Sequence, residues 1–172
     1  MVHAPQIIER RRGLSVALAI AAVATAIPCL AEDFRVKVIR IVDGDTIEVM
    51  DDGRPRRVRF AGIDAPERKQ AFGSRARQFV GQQVFGKTVT VRSVGVDAYG
   101  RILGDVILPD GRSLNQELVA NGLAWHYKRF SADRQLARLE DEARAARRGL
   151  WSDRNPIPPW EFRRLGSAAP NR

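Results

Sequence analysis

A chain of 172 residues has room for one domain rather than two. Hydrophobic residues make up 44 %, enough for a packed core, which excludes a disordered tail, and neither Gly-X-Y nor heptad repeats mark a fibrous protein. Lys and Arg total 29 against 20 Asp and Glu, a formal charge of +9, and 25 of the 29 are Arg. Guanidinium grips phosphate through a planar fork, so the excess fits either a polyanion partner or a compositional habit of the genome.

Residues 1–31 have the three-part grammar of a secretory signal peptide. Arg10, Arg11 and Arg12 precede an apolar run from Leu14 to Ile27. Pro28 breaks the run, and Cys29-Leu30-Ala31 places small residues three and one before a cut that would expose Glu32. The run is about 14 residues, short of the roughly 20 that span a bilayer, and an uncleaved anchor is the alternative. Cleavage leaves 141 residues with 26 basic and 19 acidic side chains, bound for a secreted or periplasmic location. It removes the only cysteine, so this chain forms no internal disulfide, and His126 is the one histidine left. A zinc site built from several His and Cys is therefore excluded, and any metal must be a hard cation held by oxygen.

The mature chain divides into a domain over 32–154 and a proline-rich tail over 155–172. Asp33 to Val42 alternates and is rich in Val and Ile, a strand signal. Asp43-Gly44-Asp45 interrupts it and Thr46 to Met50 resumes it. After the turn at Asp51-Asp52-Gly53, Arg56 to Phe60 alternates again, with Val58 and Phe60 on one face and Arg57 and Arg59 on the other. Asp64-Ala65-Pro66-Glu67 opens a loop. A helix is predicted next, with Ser74 as N-cap, Ala76, Phe79, Val80 and Val84 on one stripe, and Gly86 at its end. Thr88 to Val96 and Arg101 to Leu108 read as strands joined at Asp97-Ala98-Tyr99-Gly100. Ser113 and Gln116 form a capping box for a short helix closed by Gly122. Leu136, Leu139, Ala143 and Ala146 are spaced for a last amphipathic helix, with Leu150 and Trp151 packing back on the core. Asn155 to Trp160 is too proline-rich for helix or sheet and reads as an extended strap. Five short strands with a helix between the third and fourth suit a small OB-type barrel, an α+β fold dominated by its β barrel.

Charge stands where the pattern calls for turns or apolar residues. Asp45, Asp64 and Glu67 lie at strand ends, and Arg59 and Arg101 lie on neighbouring strands. Converging carboxylates repel unless a cation lies between them, and arginines beside them suit an anionic phosphate. A metal, a carboxylate base and two guanidiniums are the parts of a phosphodiester hydrolase.

The strings VDGDTIEV (42–49), RVRFAGIDAPE (57–67), DAYGR (97–101), GRSLNQELVANGLA (111–124) and GLWSD (149–153) resemble the staphylococcal nuclease-like, or thermonuclease, family over roughly residues 34–153. The resemblance implies an OB-fold five-stranded barrel with three helices. It also implies a Ca²⁺-dependent, sugar-nonspecific endonuclease that cuts DNA and RNA, with single-stranded regions favoured, to leave 3′-phosphate ends. Carried over by position, Asp45 and Asp64 are the calcium carboxylates, and Ala65 lends a backbone carbonyl. Glu67 activates or positions the attacking water, and Arg59 and Arg101 clamp the phosphate. Tyr99 and Tyr127 are substrate contacts. The family's best-known member has Thr where Ala65 stands and Lys where Ala98 stands, so one phosphate contact is missing here. Nothing demands more than a monomer. The alternative is a non-catalytic nucleic-acid-binding or envelope interaction module of the same fold, which would have no need of all five charged positions.

Overall fold

The structure, a computed structural model, describes residues 33–167; the expected signal segment 1–31 lies outside the described residues. In chain order the strands and helices are β1 (Asp33–Ile41), β2 (Thr46–Asp51), β3 (Arg54–Phe60), β4 (Ile63–Asp64), α1 (Gly73–Val84), β5 (Thr88–Val96), β6 (Ile102–Ile107), α2 (Leu114–Ala120), β7 (Trp125–His126), α3 (Arg134–Ala145) and α4 (Pro159–Ser167). A 3-10 turn over Gly149–Ser152 separates the last two helices.

The five long strands close into a barrel in the order β1-β2-β3-β6-β5. All neighbours are antiparallel except β3 and β6, which run parallel with Arg59 opposite Leu103. Register shifts in β1 between Val38 and Arg40, and in β5 between Ser93 and Gly95, sit where a small barrel has to bend. The alternation read from the sequence decides what fills it. Val36, Val38, Ile47, Val49, Val58, Phe60, Val89, Val91, Ile102 and Val106 are buried, and α1 and α2 add Val80, Val84, Leu114 and Leu118. Asn115 is one of the buried polar residues. Its side chain accepts from the Val106 N–H and donates to the Ala61 and Gly104 carbonyls, tying α2 to β6 and to the end of β3.

The OB-type barrel and the α+β class hold, with four helices rather than three among the described residues. The fourth is α4, which starts inside the segment expected to be an extended strap. Pro159 stands at the first helical position, where a missing N–H costs nothing; the strap is confined to the residues before it. The helix α1 also starts earlier than expected. Phe72, in the left-handed region, precedes it without a side-chain cap, and Ser74 lies within the first turn. The cause is the preceding loop, wound into turns by Gln70 N–H to Glu67 O and Gly73 N–H to Gln70 O bonds, which leave Gly73 already in helical position. The Ser113 cap on Gln116 is present, with Gly122 at positive φ closing α2.

Candidate active site

Two glycines let the site form. A Cβ on Gly44 would sit 2.7 Å from the Ala76 Cβ and 2.8 Å from the Ala65 Cβ, so only glycine lets the β1–β2 turn nest between α1 and Ala65. That nesting presents Asp45. A Cβ on Gly73 would lie 1.9 Å from the Glu67 carbonyl oxygen, so the loop carrying Glu67 rests directly on the start of α1.

Arg59 is the hub. It leaves β3 opposite Thr46, and its Nη2 lies 2.9 Å from Asp64 Oδ1 and 3.1 Å from Asp45 Oδ2. Its Nη1 donates to the carbonyls of Phe60 and Ile63, both at 2.9 Å, so the guanidinium is fixed in orientation. Asp64 lies in β4, whose partner is β7, and is only 1 % exposed. Asp45 accepts from the Ala65 N–H at 2.7 Å and from the Thr46 hydroxyl at 3.2 Å. Burial pushes the Asp45 pKa up to about 7, with nearby Asp43 and Asp64 adding to the effect and Arg59 and the Ala65 N–H opposing it.

Asp45, Arg59, Asp64 and Glu67 are thus brought together. Arg163, on α4, supplies the bond that draws Glu67 in. Its Nη1 lies 2.7 Å from Glu67 Oε1 and 3.3 Å from Asp64 Oδ1, and its Nη2 lies 2.8 Å from Asp64 Oδ2. Partial burial works against the Arg163 charge, but hydrogen bonds to Asp64 and Glu67 outweigh it and hold its pKa above the ordinary value.

Arg101 and Tyr99 stand apart from this set. Arg101 immediately precedes β6 and pairs with Asp97 at 2.7 Å, its guanidinium over the Tyr99 ring. Burial works to raise the Asp97 pKa, but hydrogen bonds from the Arg101 N–H, the Arg101 side chain and the Tyr99 N–H hold it below the usual carboxylate range. Tyr99 is 85 % exposed. By register Arg101 and Arg59 project from the same face of the β3–β6 pair, since Leu103, two residues beyond Arg101, lies opposite Arg59.

Tyr127 follows β7, and its ring stacks on Trp160 of α4 at 5.1 Å with 4° between the planes. Trp125, Tyr127, Lys128, Arg144, Trp160 and Arg163 line part of a cleft of about 810 Å³ beside the carboxylates. Arg163 and Trp160 are the site residues that sequence reasoning missed. The signal was available: proline followed by Trp160-Glu161-Phe162-Arg163-Arg164 is a helix start carrying an aromatic and basic face.

Among the described residues no three His, Cys, Asp or Glu side chains gather into a ready metal cage. Asp45 and Asp64 instead flank a single arginine nitrogen, and all the donors at hand are oxygen. Two buried carboxylates are donors that suit a hard cation.

Residues 57–153 match the model of the staphylococcal nuclease homologue family. An uncharacterized endonuclease of Escherichia coli is 48 % identical over 136 residues, covering 79 % of this chain and 89 % of the relative. A micrococcal nuclease of Shigella flexneri is 46 % identical over 149 residues, covering 81 % and 86 %. Protein ParB of Escherichia coli is 45 % identical over 161 residues, covering 88 % and 90 %. The matched segment carries Arg59, Asp64, Glu67, Arg101 and Tyr127, and the chain belongs to the staphylococcal nuclease homologue family.

Proposed function

We propose that this protein is a secreted or periplasmic Ca²⁺-dependent nuclease that hydrolyses phosphodiester bonds of DNA and RNA and leaves 3′-phosphate ends, acting as a monomer and favouring single-stranded regions. The observation that carries the reading is the convergence of Asp45, Asp64 and Glu67 on two guanidiniums at the end of the barrel. Relatives whose names say endonuclease and micrococcal nuclease support it.

Asp45 and Asp64 would hold the cation, with the Ala65 carbonyl beside them; when bound, it supplies positive charge at the phosphate and lowers the pKa of water. The chain's own groups do the rest. A carboxylate only accepts hydrogen bonds, so Glu67 orients the water and takes its proton as the water oxygen bonds to phosphorus. Arg59 and Arg101 donate to the phosphate oxygens, on which charge builds in the five-coordinate transition state. The bond from phosphorus to the 5′ oxygen breaks, that oxygen takes a proton from solvent water, and phosphate remains on the 3′ side. Tyr99 is placed to meet a base or phosphate from solvent. Tyr127 is the second aromatic contact.

Purified protein incubated with plasmid, with Ca²⁺ and with chelator, tests the reading. Cleavage in Ca²⁺, loss of cleavage in chelator and loss in Asp45→Ala are expected. Full cleavage in excess chelator would overturn the cation assignment, and plasmid binding without cleavage would favour a binding module. Export is tested by the intact mass of the extracytoplasmic protein, which should begin at Glu32.

A further inference from the structure

The carboxylates that the proposed reaction needs are already engaged, and the engaging group lies outside the segment that matches the family, which ends at residue 153. Arg163 uses both guanidinium nitrogens. Asp64 Oδ2 accepts from its Nη2, Asp64 Oδ1 is shared between its Nη1 and Arg59, and Glu67 Oε1 accepts from its Nη1. No oxygen of Asp64 is left without a cationic nitrogen beside it. The same helix places Trp160 flat against Tyr127, covering one face of its ring. Two features of the substrate site are thus filled by one short element.

That element is short, and most of its described side chains are exposed. It has nine residues and is reached through Asn155-Pro156-Ile157-Pro158. Its contacts include buried Pro159, half-buried Trp160 and Phe162, the Trp160 ring against Trp125 and Tyr127, the Arg163 ion pairs and a bond from Gln70 to the Ile157 carbonyl. Glu161, Arg163, Arg164 and Leu165 are exposed. Elements with few buried contacts open at low free energy.

We propose that α4 is an autoinhibitory lid: docked, Arg163 engages Asp64, one of the two carboxylates assigned to the cation, together with the base Glu67, while Trp160 covers one face of Tyr127, so that cation binding and docking of α4 exclude one another. The inference rests on the proposed cation assignment and adds to it a regulator within this chain. The exclusion is electrostatic as well as steric. A guanidinium and a divalent cation seek the same lone pairs, and like charges a few ångströms apart in a partly buried site repel. Because coupling between two binding events is reciprocal, the cation must loosen α4 by the same factor by which α4 weakens the cation.

The test is calorimetric Ca²⁺ titration of the chelator-stripped full chain, compared with Arg163→Gln and Trp160→Ala. Near-ultraviolet circular dichroism reports the Trp160–Tyr127 stack in parallel. Arg163→Gln removes the competing charge. Trp160→Ala frees the helix while leaving Arg163 and the carboxylates intact, and carries the test should Arg163→Gln fail to fold. Both variants are expected to bind Ca²⁺ about tenfold more tightly, a coupling of ordinary size. In the unaltered chain the stacking signal should fall as Ca²⁺ saturates. Equal or weaker Ca²⁺ binding by the folded variants, or a stack that survives saturation, overturns the lid. Absence of Ca²⁺ binding in all three proteins overturns the cation assignment along with it.

Discussion

Arg59 and Arg101 are expected to share the phosphate, but their surroundings give them different second duties. The Arg59 side chain is 13 % exposed and joins Asp45, Asp64 and two backbone carbonyls. Removing it takes the paired guanidinium from buried Asp45, while Asp64 keeps Arg163, and breaking a buried pair in this way costs about 3–5 kcal/mol. Arg59→Ala should therefore lower the melting temperature in chelator, with partial recovery in Ca²⁺, as well as turnover. Arg101 is tied to Asp97 alone among the carboxylates and is 30 % exposed. Arg101→Ala should leave the melting temperature unchanged while turnover at saturating oligonucleotide falls about 10²–10³-fold, the usual loss for one preorganised donor. Lysine at either position should recover only part, because it keeps the charge and loses the fork. Glu67→Gln should keep substrate affinity and lose about 10²–10⁴ in rate, as for a positioned base. Single-turnover cleavage with binding measured alongside decides the matter. If Arg101→Ala cleaves normally once saturated, Arg101 is a docking residue and the clamp is wrong.

At the scale of elements, Glu140 shows how the α3 helix holds the site together. It is 1 % exposed, accepts from the His126 N–H at 3.2 Å, and pairs with Lys128 at 2.9 Å and Arg144 at 3.4 Å. Those two cations are 62 % and 44 % exposed and can return to water, so the charge pairing is worth little. The bond to β7 matters more, because β7 pairs with β4 and so aligns Asp64. Glu140→Gln keeps an acceptor and should cost under about 1 kcal/mol. Glu140→Ala leaves a buried N–H unmet and should cost roughly 1–3 kcal/mol by chemical denaturation. Equal costs would mean that the charge dominates. Much of this level was legible in the sequence. Period-two alternation gave the five barrel strands, because one face of each lines the core. Ser113 and Gln116 gave the start of α2, since a capping box is local chemistry. The strands β4 and β7 were not legible: two residues each carry no periodicity, and they pair across more than sixty positions of chain. Nor was the start of α1, which is set by turns upstream of it. The candidate site was legible where charge interrupted a pattern, at Asp45, Arg59 and Asp64. Arg163 was not legible because the prolines of Asn155 to Trp160 point to an extended strap, although proline at the first helical position is a starter.

For the molecule as a whole, 25 arginines and a net charge of +9 pose the question of which step the charge serves. On β3 alone, Arg54, Arg56 and Arg57 are exposed on the barrel surface, and only Arg59 turns into the carboxylates. Exposed guanidiniums contribute through release of counterions from the nucleic acid, a term that depends on salt and not on sequence. Arg59, Asp45 and Asp64 are largely out of solvent, where screening is weak. Salt should therefore separate binding from chemistry. Affinity for a long single strand is expected to fall linearly on a log–log plot against salt, with a slope of about −0.7 for each phosphate neutralised. Turnover at saturating substrate should stay nearly flat over the same range. A dinucleotide, which reaches only the groups around the scissile phosphate, should show a much shallower slope. Charge reversal of Arg54 and Arg57 together should reduce the slope for the long strand and leave dinucleotide cleavage unchanged. The measurement is binding by anisotropy and cleavage by single turnover, each across 50 to 300 mM salt, at fixed Ca²⁺ (about that range resolves a slope of this size). Turnover falling in step with affinity would show that the surface arginines act on the chemical step, and the division between a basic surface and a buried site would fail.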